Sequence, residues 1–205
     1  MISPSLQEKV SILIFSIYIQ KNSRFNAVFL EKQKTLQNNM GISINIQEIV
    51  AQMISKFKTE LREPEDVVVQ QFDDTDQMFI IAKGACEVSI IDEKKNVEKL
   101  KVLRPGDYFG EIALIYGSKR SATVTSTKYS TLAMLVKESY KDILIEFPDL
   151  QQQLKKHIFT YNDRIKRFQK ESIQKVEYFK DIGDDAVHDI IYNLKGRKFH
   201  KGDIL

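Results

Sequence analysis

Apolar positions change their period twice along this 205-residue chain. Before about residue 57 they recur at helical steps, between 67 and 136 they gather into short β-branched and aromatic runs, and from Lys137 the helical steps return. The most apolar run is Val10 to Ile19. It is too short to cross a bilayer, which takes about 20 apolar residues in a helix, and Gln20-Lys21-Asn22 after it offers no small-residue cleavage site. It reads as a buried amphipathic helix, with Ser3 as N-cap, Pro4 as first helical residue and Leu6, Val10, Leu13, Ile14 and Ile17 along one face. The pattern weakens from Asn22 to Asn45, where Gln37-Asn38-Asn39 and Gly41 point to a loop between helices. A second helix is expected from about Ile46, with Ile49, Val50, Met53, Ile54 and Phe57 on one stripe, ended by the breaker Glu63-Pro64-Glu65-Asp66.

Six strands are then expected: Val67 to Gln71, Met78 to Lys83, Ala85 to Asp92, Val97 to Leu103, Thr123 to Ser126 and Thr131 to Val136. Short strands at this spacing, parted by turn residues, imply a closed or rolled antiparallel sheet rather than βαβ units, so the chain is of the α+β class. After Lys137, Tyr140, Ile143 and Leu144 mark a helix that Pro148 should interrupt. Beyond it Leu154, Ile158, Tyr161, Ile165 and Phe168 form a narrow apolar seam on a charged helix. Such a seam is usually core; the alternative is that part of it closes over a ligand.

Composition removes several function classes. Lys and Arg exceed Asp and Glu by 31 to 28, a net +3, which gives no basic field for nucleic acid or a membrane surface. The lone Cys86 excludes an internal disulfide and suits a reducing compartment. His157, His188 and His200 are too scattered for a metal site. No Walker or dinucleotide glycine loop occurs, and no nucleophile–base set, so an enzyme is not expected.

The candidate chemistry lies in Phe109 to Val124, Phe-Gly-Glu-Ile-Ala-Leu-Ile-Tyr-Gly-Ser-Lys-Arg-Ser-Ala-Thr-Val. Gly110 lets the main chain approach a ligand closely, Glu111 to Leu114 can begin a short helix with unsatisfied amides, and Arg120 brings a planar cationic fork. Such a set describes an anion cradle.

Gly106 to Leu114 and Arg120-Ser121-Ala122-Thr123-Val124, together with the upstream run Val69 to Gly84, resemble the phosphate-binding cassette and early strands of eukaryotic cyclic-nucleotide-binding domains. The resemblance covers roughly Ile46 to Phe168. It implies an eight-stranded, jelly-roll-like antiparallel β-roll flanked by N- and C-terminal helices, with no chemistry done on the ligand and no cofactor. It further implies that Arg120 pairs with the cyclic phosphate, that Glu111 accepts from the ribose 2′-hydroxyl, and that Gly110, Ile112 and Ala113 offer backbone contacts. Ser121 and Ala122 complete the implied ligand set, with Tyr161 as a residue stacking on the base and Arg164 as its alternative. Ser121 bears on base choice. Relatives preferring cyclic GMP often have threonine there and the cyclic-AMP kinase subunits alanine, and the reading leans to cyclic AMP with cyclic GMP kept open. Phe72 stands where the family commonly has glycine. A bulky residue reaches positive φ only at a cost, so the turn is expected to differ in shape.

The flanks carry shorter resemblances. Ser3 to Val10 with Phe25, and Glu146 to Leu150, look like segments of cyclic-nucleotide-regulated and ether-à-go-go-type channels. Val176 to Ile182 and Lys198 to Leu205 look like the opening of a second binding domain. The implied layout is N-terminal linker helices over 1–62, a binding domain over 63–171 and the start of a second domain over 172–205. The channel sensor is ranked first, a tandem-domain kinase regulatory subunit second, and a scaffold that no longer binds nucleotide third. A cytoplasmic location and homo-oligomer contacts through the N-terminal helices go with the first.

Overall fold

The computed structural model describes residues 15–40, 45–92, 94–161 and 164–194. The chain divides into two compact units, Met1–Ile158 and Phe159–Leu205.

In the first unit, residues 15–21 are helical (α1), followed by α2 (Ser23–Met40) and α3 (Ile46–Ile54). The expected start of α1, from Ser3 to Ile14, lies outside the described residues. Within the described part the buried positions are Phe15 and Ile19, one turn apart, while Ile17 is 45% exposed, so the expected stripe is rotated at its end. The loop expected over Asn22 to Asn45 is instead mostly α2. Its apolar residues Phe25, Val28 and Phe29 sit at i, i+3 and i+4 and are fully buried. The rest of the helix is mostly polar, with Leu30 exposed and Leu36 only partly buried, which is why its periodicity fades. In α3, Asn45 caps the first turn by accepting from the Gln47 amide at 3.0 Å, and Ile49, Val50, Met53 and Ile54 are buried as expected.

Eight strands follow: β1 (Lys58–Arg62), β2 (Val67–Val69), β3 (Met78–Lys83), β4 (Cys86–Ile91), β5 (Val97–Leu103), β6 (Tyr108–Phe109), β7 (Thr123–Ser126) and β8 (Ser130–Leu135). They form two antiparallel four-stranded sheets, β1-β8-β3-β6 and β2-β7-β4-β5, the expected β-roll. The Glu63-Pro64-Glu65-Asp66 turn therefore joins β1 to β2 rather than ending α3.

Strand periodicity sorts the core into two layers. Along β3, Phe79 and Ile81 join Val69, Val88, Leu103, Phe109, Val124 and Leu132 in one cluster. Met78, Ile80 and Ala82, on the opposite face, join the helical residues in another, with Ala133 and Leu135 of β8 and Tyr108 of β6. Because both faces of β3 are covered, it reads as a continuous apolar run.

Helices α4 (Glu111–Tyr116), α5 (Lys137–Glu146) and α6 (Asp149–Ile158) complete the unit, with the break at Pro148 as expected. α2 ties them to the roll. Phe25 meets Tyr108 edge-on at 5.7 Å, Phe29 meets Phe147 at 6.2 Å, and Lys32 Nζ donates to the Glu146 carbonyl at 2.8 Å. Asn22 Nδ2 donates to the Gly106 carbonyl at 3.0 Å, just before the cassette.

The second unit contains α7 (Arg164–Gln174), a 3-10 turn at Glu177–Phe179 and α8 (Asp184–Asn193). Lys170 pairs with Asp184 at 3.0 Å, and the Phe159 ring stacks on His188 at 4.1 Å. The apolar seam expected on a single helix is thus divided. Leu154 and Ile158 are buried at the end of α6, the chain turns at 159–161, and Phe168 on α7 is 69% exposed. Residues 198–205 lie outside the described residues.

On α6, His157 packs against the Tyr108 ring at 5.1 Å. Burial, aided by the Arg24 and Lys101 charges and opposed by Asp107, lowers its pKa to about 4. The unfolded chain, with an ordinary histidine near 6.5, takes up the proton first on acidification. The histidine's contribution to stability is therefore complete above about pH 6.5 and is lost as pH falls toward 4. Replacing His157 by Gln should flatten the acid limb of a melting-temperature profile between those values. An unchanged slope would contradict this assignment.

Candidate functional site

The stretch Phe109 to Val124 runs from β6 through α4 and a loop into β7. Gly110 caps α4 at φ 85°, a left-handed conformation that glycine adopts without strain. A Cβ there would stand 2.5 Å from the Arg120 NH1 and 2.6 Å from the Gln77 carbonyl oxygen, so only glycine fits. The Gly110 carbonyl accepts the Leu114 amide at 3.2 Å, starting the helix. The amides of Ile112 and Ala113, in the first turn, have no intrahelical acceptor by helix geometry. Gly117 closes α4 in the left-handed region, its amide reaching the Ala113 carbonyl at 2.9 Å.

Arg120 enters the same space from the following loop. Its backbone is locked to the 72–77 turn by two reciprocal bonds: the Arg120 amide donates to the Asp73 carbonyl and the Phe72 amide to the Arg120 carbonyl, each at 2.9 Å. The side chain is 3% exposed. Its Nε donates to Thr75 Oγ1 at 2.8 Å, NH1 to the Gly110 carbonyl at 3.2 Å and NH2 to Gln77 Oε1 at 3.3 Å. Burial draws the guanidinium pKa down from its usual value, while the negative charges of Asp76, Glu111 and Asp73 work against that shift. Glu111 is 1% exposed. A buried carboxylate on the glycine-capped turn and a buried guanidinium bonded to that turn's Gly110 carbonyl can serve an acceptor and a donor role toward one small anion.

The structure brings together Gly110, Glu111, Ala113 and Arg120, with Ile112 half-buried beside them. Ser121 is exposed directly after Arg120, and Ala122 packs against the inter-sheet cluster. Tyr161 lies in a bend and Arg164 begins α7, both in the second unit. Phe72 departs from expectation. It adopts φ 74°, so the turn keeps the left-handed shape despite its side chain, which is 60% exposed. The two backbone bonds to Arg120 are what hold it there. Sequence reasoning missed Thr75 and Gln77, the partners of Arg120. The available signal was a polar Gln77 immediately before the fully apolar start of β3.

Residues 61–147 match the family profile described as the cyclic nucleotide-binding domain. That segment belongs to the cyclic nucleotide-binding domain family. The chain is 32% identical over 127 residues to a cGMP-dependent protein kinase of Plasmodium berghei, covering 62% of this chain and 13% of that protein. It is 24% identical over 182 residues to a cAMP-dependent protein kinase regulatory subunit of Candida albicans, covering 87% and 36% respectively. The cyclic nucleotide-gated channel rod photoreceptor subunit alpha of Gallus gallus is 30% identical over 112 residues, covering 52% and 17%. The chain thus spans 13% to 36% of the length of these relatives. The cyclic nucleotide-binding fold recurs in the co-crystal structure of the Toxoplasma gondii PKA regulatory domain with cAMP, at a TM-score of 0.52 and 23% identity, over 65% of this chain and 48% of that one. Among the described residues no helix is long and apolar enough to cross a membrane.

Two substitutions of opposite sign test the backbone account in one urea-denaturation series. Phe72→Gly relieves a left-handed position and should raise stability by about 0.5–1 kcal/mol. Gly110→Ala meets both strain and a backbone oxygen and should lower it by about 2 kcal/mol or more. Equal stabilities for the two variants would contradict the assigned conformations.

Proposed function

We propose that this chain is a regulatory, non-catalytic sensor that binds a 3′,5′-cyclic nucleotide at Phe109 to Val124. What carries the reading is a buried carboxylate on a glycine-capped turn and a buried guanidinium bonded to that turn's carbonyl, Glu111 at 1% and Arg120 at 3% exposure, in a segment that matches the family. Arg120 pairs with the single negative charge of the cyclic phosphate, and the amides of Ile112 and Ala113 add donors beside it. Glu111 accepts from the ribose 2′-hydroxyl. Ser121 and Ala122 are on the base side. Serine rather than threonine at 121 supports cyclic AMP over cyclic GMP. The ligand acts by shifting a population: it orders the cassette, the flanking helices follow, and a partner segment is biased by about 1–3 kcal/mol.

For the parent protein, the tandem-domain kinase regulator and the channel sensor both remain readings of the flanks. The alignment with the Candida albicans regulatory subunit extends over 87% of the chain, against 52% for the channel subunit, and this favours the tandem regulator. The sequence flanking these residues in the intact gene distinguishes them: an Arg-Arg-x-Ser or Arg-Arg-x-Ala segment before the first domain for the former, a pore and membrane spans for the latter.

Arg120→Ala leaves a bound phosphate without its charge partner and should weaken cyclic AMP binding by about 2–5 kcal/mol in calorimetry. Equal affinity for the wild type and the variant would overturn the reading. So would the absence of any melting-temperature shift of the wild type with millimolar cyclic AMP or cyclic GMP.

A further inference from the structure

We propose that Thr75 and Gln77 are positioning residues that hold Arg120 ready for an anion without neutralising it; the proposal rests on the cyclic-nucleotide reading of the site. A guanidinium carries five N–H donors and no acceptor. In Arg120, three are occupied: Nε–H by the Thr75 hydroxyl, one NH1 hydrogen by the Gly110 carbonyl and one NH2 hydrogen by the Gln77 side-chain amide. One hydrogen on each terminal nitrogen is left over, the number that a bidentate oxyanion contact uses.

The chemical type of the three acceptors matters as much as their number. All are neutral oxygens: a hydroxyl, a peptide carbonyl and an amide. Among the described ion pairs none involves Arg120, and the neighbouring Asp76 carboxylate lies instead 3.7 Å from Lys137 Nζ. The guanidinium is therefore fixed in direction by neutral acceptors, and the Asp76, Glu111 and Asp73 charges act on it without forming a described ion pair. A carboxylate in the place of Thr75 or Gln77 would hold the fork equally well and compete with the incoming phosphate.

The turn that supplies these acceptors is itself fixed. The Phe72–Arg120 and Arg120–Asp73 backbone bonds anchor its start, and Met78, the fully buried first residue of β3, anchors its end. Thr75 adds a β-branched side chain with restricted χ1, so its hydroxyl has little freedom to lose. Ordering the arginine before binding removes that cost from the association step.

The test uses the whole chain, without ligand and with cyclic AMP or cyclic GMP as probe. In the ligand-free protein the Arg120 Nε–H gives a protected 15N–1H cross-peak in wild type. It is lost to fast exchange in Thr75→Val and restored in Thr75→Ser. Calorimetry then shows a loss of cyclic-nucleotide affinity of about ten- to a hundredfold in Thr75→Val, the value of a hydrogen bond to a charged group. Thr75→Ser stays near wild type. Gln77→Glu keeps the Nε–H protection but also loses affinity, because its carboxylate competes. An Nε–H signal equally protected in Thr75→Val, or unchanged or tighter binding by Thr75→Val, would overturn the proposal. Failure of the wild type to bind either nucleotide would instead overturn the function proposed above, and the ligand-free Nε–H comparison would still decide what Thr75 does.

Discussion

Burying the Arg120 guanidinium is the constraint around which the site is built. An ion taken out of water costs several kcal/mol even after relaxation, unless its donors are met. Here three of the five are met: Thr75 and Gln77, 45 and 43 positions closer to the N-terminus, supply two acceptors from the 72–77 segment, and the Gly110 carbonyl supplies the third from the other side of α4. The same turn is held by its backbone to residue 120 itself. The arginine thus fixes the loop that satisfies it, and the strained Phe72 at φ 74° is a local cost of that arrangement.

The rest of the fold gives this loop something rigid to stand on. β3 leaves the turn directly, and its alternating side chains enter both core layers: Phe79 and Ile81 between the sheets, Met78, Ile80 and Ala82 under the helices. β6 does the same one residue before the cassette, sending Tyr108 to the helical layer and Phe109 to the inter-sheet layer, where it stacks on Phe79 at 5.1 Å. Any movement of the cassette is therefore felt by both layers, and through Tyr108 by Phe25 of α2 and His157 of α6. In the proposed function, that connectivity is what would carry the effect of an anion at Arg120 to the flanking helices.

Much of this was legible in the sequence because it is local. Continuous apolar runs marked β3 and β8, turn residues separated them, and the glycine, carboxylate and arginine of the cassette stood at characteristic spacing. What escaped depended on tertiary contacts. β1 carries an inverted pattern, with Leu61 75% exposed and Glu60 paired to Arg62 at 2.9 Å, so no apolar alternation announces it. β6 is too short to show a period. α2 is helical mainly because Phe25, Val28 and Phe29 find a core, while its remaining turns look like loop. The seam through Leu154, Ile158 and Phe168 has helical spacing, but spacing alone does not reveal the turn at 159–161 that divides it. For Phe72, steric preference pointed away from positive φ, and the backbone bonds to Arg120 outweighed it.

The most direct test of the central claim is a 15N–1H NMR titration of the chain with cyclic AMP. Saturable shifts concentrated on the amides of Gly110 to Leu114 and on the backbone and Nε–H of Arg120 are the predicted result. No shift at millimolar cyclic AMP or cyclic GMP, or shifts confined to residues away from the cassette, would contradict it.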